Sequence, residues 1–319
     1  MAVTSALPRS RARRGFWTMA RRESVEGFLY ISPWILGFLI FTGYPIMASM
    51  YLSVTQYNIL EAPKFIGLDN YATAFFDDKL FWHSLKCTLV FAGLNVTLGI
   101  SGSLLAALLL NQRHRGTTIY RTLFFLPSVT PMVASALLWV WIFQPQIGVV
   151  NYLLSFLGIQ GPAWFQSTTW AIPSVAIVSL WGAIGGSRMI VFLAGLQGVP
   201  QELYEVAELD GAGRWAKFWA VTVPMISPSI FFNMVLVIIS SMSVFSLAYI
   251  ATAGGPARAT YFYVYHLFAK AFQDQEMGYA SALAWLFFIL LLTFTLIQFR
   301  TSKRWVYYGG EVENRGGDR

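Results

Sequence analysis

The stretch Thr122–Phe143, TLFFLPSVTPMVASALLWVWIF, contains no Asp, Glu, Lys or Arg, and the charge-free run continues to Ser187. A second such run extends from Phe218 to Ala257. A helix rises about 1.5 Å per residue, so about 20 apolar residues cross a hydrocarbon core of about 30 Å. Segments this long and this poor in charge cannot be kept in solution and match a bilayer interior.

The whole chain follows from these two runs. Of its 319 residues, 56% are hydrophobic and 12% are charged, against about 25% charged in a soluble domain. Six stretches are long enough to span: Phe28–Ser53, Cys87–Leu110, Thr122–Phe143, Ala171–Gln197, Met225–Ala251 and Met277–Phe299. They predict an all-α polytopic membrane protein with a basic tail over 1–27, a membrane domain over 28–300 and a second tail over 301–319. The connections leave no room for a separate soluble catalytic domain. The first span is too long for the apolar region of a cleaved signal, about 7–15 residues, and is expected to remain as an anchor.

Basic residues orient the spans. Arg9, Arg11, Arg13, Arg14, Arg21 and Arg22 precede the first; Arg113, Arg115 and Arg121 join the second to the third; Arg214 and Lys217 join the fourth to the fifth; Arg300, Lys303, Arg304, Arg315 and Arg319 follow the sixth. The opposite side has only Lys64, Lys79, Lys86, Arg258 and Lys270. The positive-inside rule therefore puts both termini in the cytosol. On the other side, 54–86 reads as an ordered loop, and 144–170 suits a short interfacial helix with turns, either a docking surface or a passive connector.

Several functions are excluded or disfavoured by what is missing. One cysteine, Cys87, permits no intrachain disulfide, and His83, His114 and His266 are scattered without a metal-ligating cluster. The net charge of +7 sits beside apolar spans and is not a nucleic-acid footprint. No Gly-Lys dipeptide occurs, so there is no phosphate-binding loop of the Walker type. A membrane-embedded enzyme or a secondary transporter would need intramembrane acids or nucleophiles, and the spans carry only one ionisable residue that stands out, Arg188.

One loop carries a mechanism: Leu196-Gln197-Gly198-Val199-Pro200-Gln201-Glu202-Leu203-Tyr204-Glu205-Val206-Ala207-Glu208-Leu209-Asp210-Gly211-Ala212. Pro200 suits a first helical position, Glu202 and Glu205 favour the positive end of a helix, and Asp210-Gly211 stops it. Leu203, Val206 and Ala207 share one face while Gln201, Glu205 and Glu208 share another. A short cytosolic helix, apolar on one side and acidic on the other, is shaped to fill a groove on another protein. Its acids disfavour the alternative of resting on an anionic leaflet.

At this point the sequence resembles a known family, the inner-membrane permease subunits of bacterial binding-protein-dependent ABC importers, in their carbohydrate-uptake branch. Glu205-Val206-Ala207, then Gly211, then Val221-Thr222-Val223-Pro224 fits the family's loop signature, with Val206, Val221 and Val223 as conservative departures. Gly67-Leu68-Asp69-Asn70-Tyr71, Tyr120-Arg121-Thr122, Leu126-Pro127, Leu193-Ala194-Gly195-Leu196, Thr252-Ala253-Gly254-Gly255-Pro256 and Met277-Gly278-Tyr279-Ala280 follow in order. Gly254-Gly255-Pro256 looks like the larger permease of maltose-type and glycerol-phosphate importers.

The resemblance implies a non-catalytic subunit of the bacterial inner membrane, with a core permease region over 85–299 and a coupling loop over 199–222. Its implied partners are a second permease, two ATP-binding subunits and an extracytoplasmic solute-binding protein. ATP and Mg would bind the ATPase subunits, and this chain would bind no cofactor and no nucleic acid. The coupling residues would be Glu202, Leu203, Glu205, Val206, Ala207, Asp210 and Gly211. The implied substrate is a sugar or oligosaccharide; glycerol 3-phosphate or an acidic saccharide is the alternative.

Candidates for the substrate path are Trp181, Ser240, Ser241, Ser243, Val244, Phe245 and Tyr249. Rings stack on the C–H faces of sugars and hydroxyls serve their OH groups, although serines in membrane helices also bond their own backbone. Arg188 lies about 16 Å into the membrane from Pro200 at about 1.5 Å per residue. It either faces the path and an anionic group, or snorkels or pairs within the bundle. Gly93, Gly99, Gly102, Gly182, Gly185 and Gly186 are expected to let helices approach closely. Lys64, Asp77, Asp78 and Lys79 could meet a docked protein or be merely solvated, and Cys87 is expected to be a small buried residue.

Overall fold

The computed structural model describes residues 19–112 and 116–307. Arg9, Arg11, Arg13, Arg14, Arg113, His114, Arg115, Arg315 and Arg319 therefore lie outside the described residues. In chain order the main helices are α1 (Met19–Phe38), α2 (Tyr44–Ser53), α3 (Lys79–Asn111), α4 (Thr117–Phe125), α5 (Met132–Ile142), α6 (Val149–Phe156), α7 (Ala171–Ile184), α8 (Ser187–Gln197), α9 (Gln201–Leu209), α10 (Ser227–Met242), α11 (Ser246–Ala251), α12 (Tyr263–Phe268) and α13 (Met277–Ser302). A two-stranded antiparallel ribbon pairs β1 (Thr55–Gln56) with β2 (Lys64–Phe65).

Six straight rods are not what these residues form. Four segments, Glu23–Ser53, Lys79–Asn111, Ser227–Ala251 and Met277–Ser302, are long and apolar enough to cross singly. The expected third span is α4 with its 3₁₀ extension to Val129, bent by 97° against α5, and the expected fourth is α7 and α8, bent by 47°. Counting each bent pair once gives six crossings. Pro131 explains the sharper bend, since it precedes α5 in an extended conformation and cannot donate to a preceding turn. The fifth span is also interrupted: α10 ends at Met242, and Phe245, with φ −142° and ψ −65°, separates it from α11.

Close approach makes the bends possible. A Cβ on Gly185 would collide with the backbone carbonyl of Phe124, so the α7–α8 break can sit directly on the end of α4 only with glycine there. α3 is the central helix, packing on α7, α8 and α10. On the side expected to face the cytosol, Ala106, Ala107, Leu110, Met189, Phe192, Leu193, Leu196 and Ile226 form one buried cluster. At the other end Cys87, Phe91, Ala136, Phe143, Val175, Leu247 and Phe262 form another, so Cys87 is the small buried residue expected. The α1–α2 segment stays at the periphery, its apolar window wholly unburied, as a lipid-facing helix can be.

The 54–78 segment is ordered by one amide. Asn70, 8% exposed, donates through Nδ2 to the carbonyls of Ser53 and Thr55, each at 2.9 Å. The Ser53 carbonyl ends α2 and that of Thr55 opens β1, so the side chain supplies a donor that the helix terminus lacks and ties it to the ribbon. Across the membrane domain, Trp164 stacks on Phe143 at 4.4 Å and donates Nε1 to Asn151 at 2.7 Å, fixing α6 and the 144–170 segment as one layer.

Asp78 and His266 form the other buried polar junction, 188 positions apart in sequence. Asp78 caps α3, accepting from the N–H groups of Leu80 at 2.8 Å and Phe81 at 3.2 Å. Its other oxygen accepts from the Tyr279 hydroxyl at 2.7 Å and meets His266 Nε2 at 2.9 Å. Asp78 is thus neither a solvated nor a docking side chain. Burial pushes its pKa up, but the Tyr279 hydrogen bond, His266 and the two backbone N–H groups outweigh that and hold it below the usual value. Burial of His266, whose side chain is fully enclosed, pushes its pKa below 6.5 despite the nearby carboxylate. The pair is therefore a carboxylate accepting from a neutral imidazole.

Candidate functional site: a cavity at three helix breaks

The breaks between α4 and α5, α7 and α8, and α10 and α11 converge on one cavity of about 460 Å³. Its wall includes Pro127, Ser128 and Thr130 from the first break, Trp181, Gly182 and Arg188 around the second, and Ser243, Val244 and Phe245 at the third. Interrupted helices leave backbone groups without their usual partners, which membrane proteins tolerate where a cavity is lined. Four of the six charge-poor spans thus line a mainly apolar chamber studded with hydroxyls, α3 contributing only Phe91.

Seven of the eight path candidates line this cavity: Trp181, Arg188, Ser240, Ser241, Ser243, Val244 and Phe245. Tyr249 is not among its lining residues and instead joins a ring cluster with Phe245, Tyr265 and Phe268. Trp181, 37% exposed, is held edge-on against Trp139 at 5.6 Å. Ser240 and Ser243 donate to the carbonyls of Val237 and Ile239 at 3.1 and 2.9 Å, each still leaving oxygen lone pairs for a ligand.

Other lining hydroxyls escaped the sequence reading: Ser128, Thr130, Ser135, Ser179 and Ser246. The signal was present for Ser128 and Thr130, which flank a proline-rich interruption in an otherwise apolar run. Ser179 donates to Asn95 at 2.9 Å, and Asn95 is 1% exposed, so α3 contributes a polar support behind the wall. Arg188 lines the cavity, and its Nη1 is buried without a hydrogen-bond partner.

A second region lies at the opposite end of α8. α9 begins at Gln201, with Pro200 as the residue before it and not its first helical position, and ends at Asp210 and Gly211, whose φ is +79°. Glu202 and Glu205 are exposed, and Leu203 and Val206 are 39% and 57% exposed, whereas Tyr204 and Ala207 face inward more closely. Two links tie α9 to the start of the fifth span: Tyr204 to Thr222 at 3.0 Å between hydroxyl oxygens, and Glu208 to Lys217 at 3.4 Å. Among the described residues no group of three or more His, Cys, Asp and Glu side chains could hold a metal ion.

Comparison with known proteins agrees with this arrangement. Residues 99–306 match the family described as binding-protein-dependent transport system inner membrane component. The chain belongs to that family and is a non-catalytic, multi-pass inner-membrane permease subunit of an ABC importer. It is 43% identical over 297 residues to the probable ABC transporter permease protein YesP of Bacillus subtilis (strain 168), covering 92% of this chain and 95% of the relative. It is 30% identical to the trehalose/maltose transport system permease protein MalF of Thermococcus litoralis, covering 88% and 95%. A crystal structure of a bacterial alginate ABC transporter, in complex with an alginate pentasaccharide-bound periplasmic protein, superposes with a TM-score of 0.79 at 25% identity, covering 91% of this chain and 97% of that one.

Proposed function

We propose that the chain forms one half of the path for ATP-driven uptake of a saccharide, delivered by an extracytoplasmic binding protein. The carrying observation is the cavity at the three helix breaks, which Trp181 and eight serine and threonine residues line together. A ring offers a face to sugar C–H groups, and the hydroxyls both donate and accept. At about 460 Å³ the space is in the range of about 300–1,000 Å³ usual for ligand pockets, and is larger than a three-carbon phosphate requires. Relatives named for trehalose/maltose and for alginate transport support the same reading.

The remaining partners are a second permease, which closes the path, and two ATP-binding subunits. α9 is the coupling helix in this reading. Leu203 and Val206 present apolar surface, Glu202 and Glu205 present charge, and Ala207, Asp210 and Gly211 shape and end the helix. Such a face fits a groove with a basic rim. In the purified importer reconstituted with its binding protein, Glu205→Lys is expected to cut saccharide uptake per ATP hydrolysed at least about tenfold, since like charges across an interface cost several kcal/mol. Unchanged coupling in that variant rejects the role of α9.

A further inference from the structure

We propose that Arg188 and the amino end of α8 form an anion subsite inside the saccharide path, and that the substrate is a saccharide carrying a carboxylate. This rests on the saccharide reading above. Arg188 lies in the membrane domain where an acid could not reach it along the chain: no Asp or Glu occurs between Asp78 and Glu202, between Asp210 and Asp274, or between Glu276 and Glu311. A guanidinium in such surroundings is expensive unless something neutralises it. Among the described residues it makes no ion pair.

Its position is built rather than incidental. Nη1 lies where a Cβ on Gly99 would be 2.9 Å away, so glycine on α3 makes room for the guanidinium. Asn233 donates to the Arg188 carbonyl at 3.4 Å, and Met189 beside it is 1% exposed, which fixes the backbone. Arg188 is among the residues that line the central cavity, with Nη1 packed beside Gly99 at its edge.

The helix end adds to the charge. α8 starts after Gly186, which is extended and supplies no side-chain cap. The first N–H groups of a helix and its dipole favour an anion. A half-helix amino end at a mid-membrane cavity is a geometry that holds carboxylates in transporters. Ser128, Ser240 and Ser241, which line the same cavity, serve the neutral part of the ligand. A small phosphate would use the charge and leave most of that lining idle.

The test uses the complete importer in proteoliposomes with its binding protein, and three probes: trigalacturonate, its carboxyl-reduced neutral counterpart, and glycerol 3-phosphate. Because one binding protein serves wild type and variants alike, the change in the acid-to-neutral uptake ratio reports the permease. Arg188→Gln is expected to lower trigalacturonate uptake about 10- to 100-fold, the effect of losing a charge-assisted hydrogen bond, and to change neutral uptake by less than about twofold. Arg188→Lys keeps a charge without the fork and is expected to retain part of the acid preference.

Equal losses for both saccharides, or none for either, overturn the subsite. Uptake of glycerol 3-phosphate with refusal of both saccharides overturns the saccharide reading and the carboxylate assignment with it. Should Arg188→Gln fail to assemble, Arg188→Lys decides alone: a reduced acid preference supports the subsite and an unchanged one overturns it.

Discussion

Two half-buried ionisable groups in this molecule are handled in opposite ways. Asp78, at the amino end of α3, is met by two backbone N–H groups, the Tyr279 hydroxyl and His266. Arg188, at the central cavity, has a buried Nη1 with nothing to bond. A charge whose donors are all supplied by its own chain has been used to join elements, here α3, α12 and α13. A charge left unmatched costs stability in the resting protein, and such a cost points to a ligand.

The largest way to break that contrast is Asp78→Ala. It strands the neutral donors of His266 and Tyr279 and removes the cap of α3, and is expected to cost about 3 kcal/mol, the scale of lost hydrogen bonds to a charged acceptor that leave buried donors unpaired, read as a drop in the thermal midpoint of the purified importer. A midpoint near wild type would remove the junction's structural role. Arg188→Met should go the other way, leaving stability unchanged or raised by about 1 kcal/mol, because it replaces an uncompensated charge by apolar volume. A loss as large as that for Asp78→Ala would mean both charges are structural.

The smallest effect is acidification. His266 has a folded pKa below 6.5, so the unfolded chain takes up the proton first. Its contribution is complete above about 6.5 and declines as pH falls through the folded value. Asp78, held below 3.8, keeps its contribution until pH falls beneath that value. The thermal midpoint is therefore expected to sag slightly between pH 7 and 5 and to fall more steeply near pH 4 and below. His266→Gln should flatten the first phase; a midpoint that rises on acidification would contradict the neutral imidazole.

The sequence made some of this legible and concealed the rest for physical reasons. Charge-free runs locate membrane spans because hydrocarbon rejects charge whatever the tertiary arrangement. α9 was legible because its acids, its stop at Asp210-Gly211 and its apolar stripe are local. The 97° bend was harder, since Pro127 and Pro131 mark an interruption but not its angle. The Asp78–His266 junction was hidden, because hydropathy along a chain does not show which loops meet across the fold. Tyr249 shared a helix run with the true lining residues, and only the break at Phe245 turned it into a neighbouring ring cluster.

The two links from α9 to the fifth span have a mechanical consequence. Tyr204 and Glu208 hold Thr222 and Lys217, just before α10 begins its 16-residue run to Met242 at the cavity. At about 1.5 Å per residue that rod is about 24 Å long. If it is stiff, a tilt of about 5° at the tethered foot displaces the cavity end by about 2 Å. The chain thus carries a lever whose foot is tied to α9 and whose far end lies beside Ser243, Val244 and Phe245.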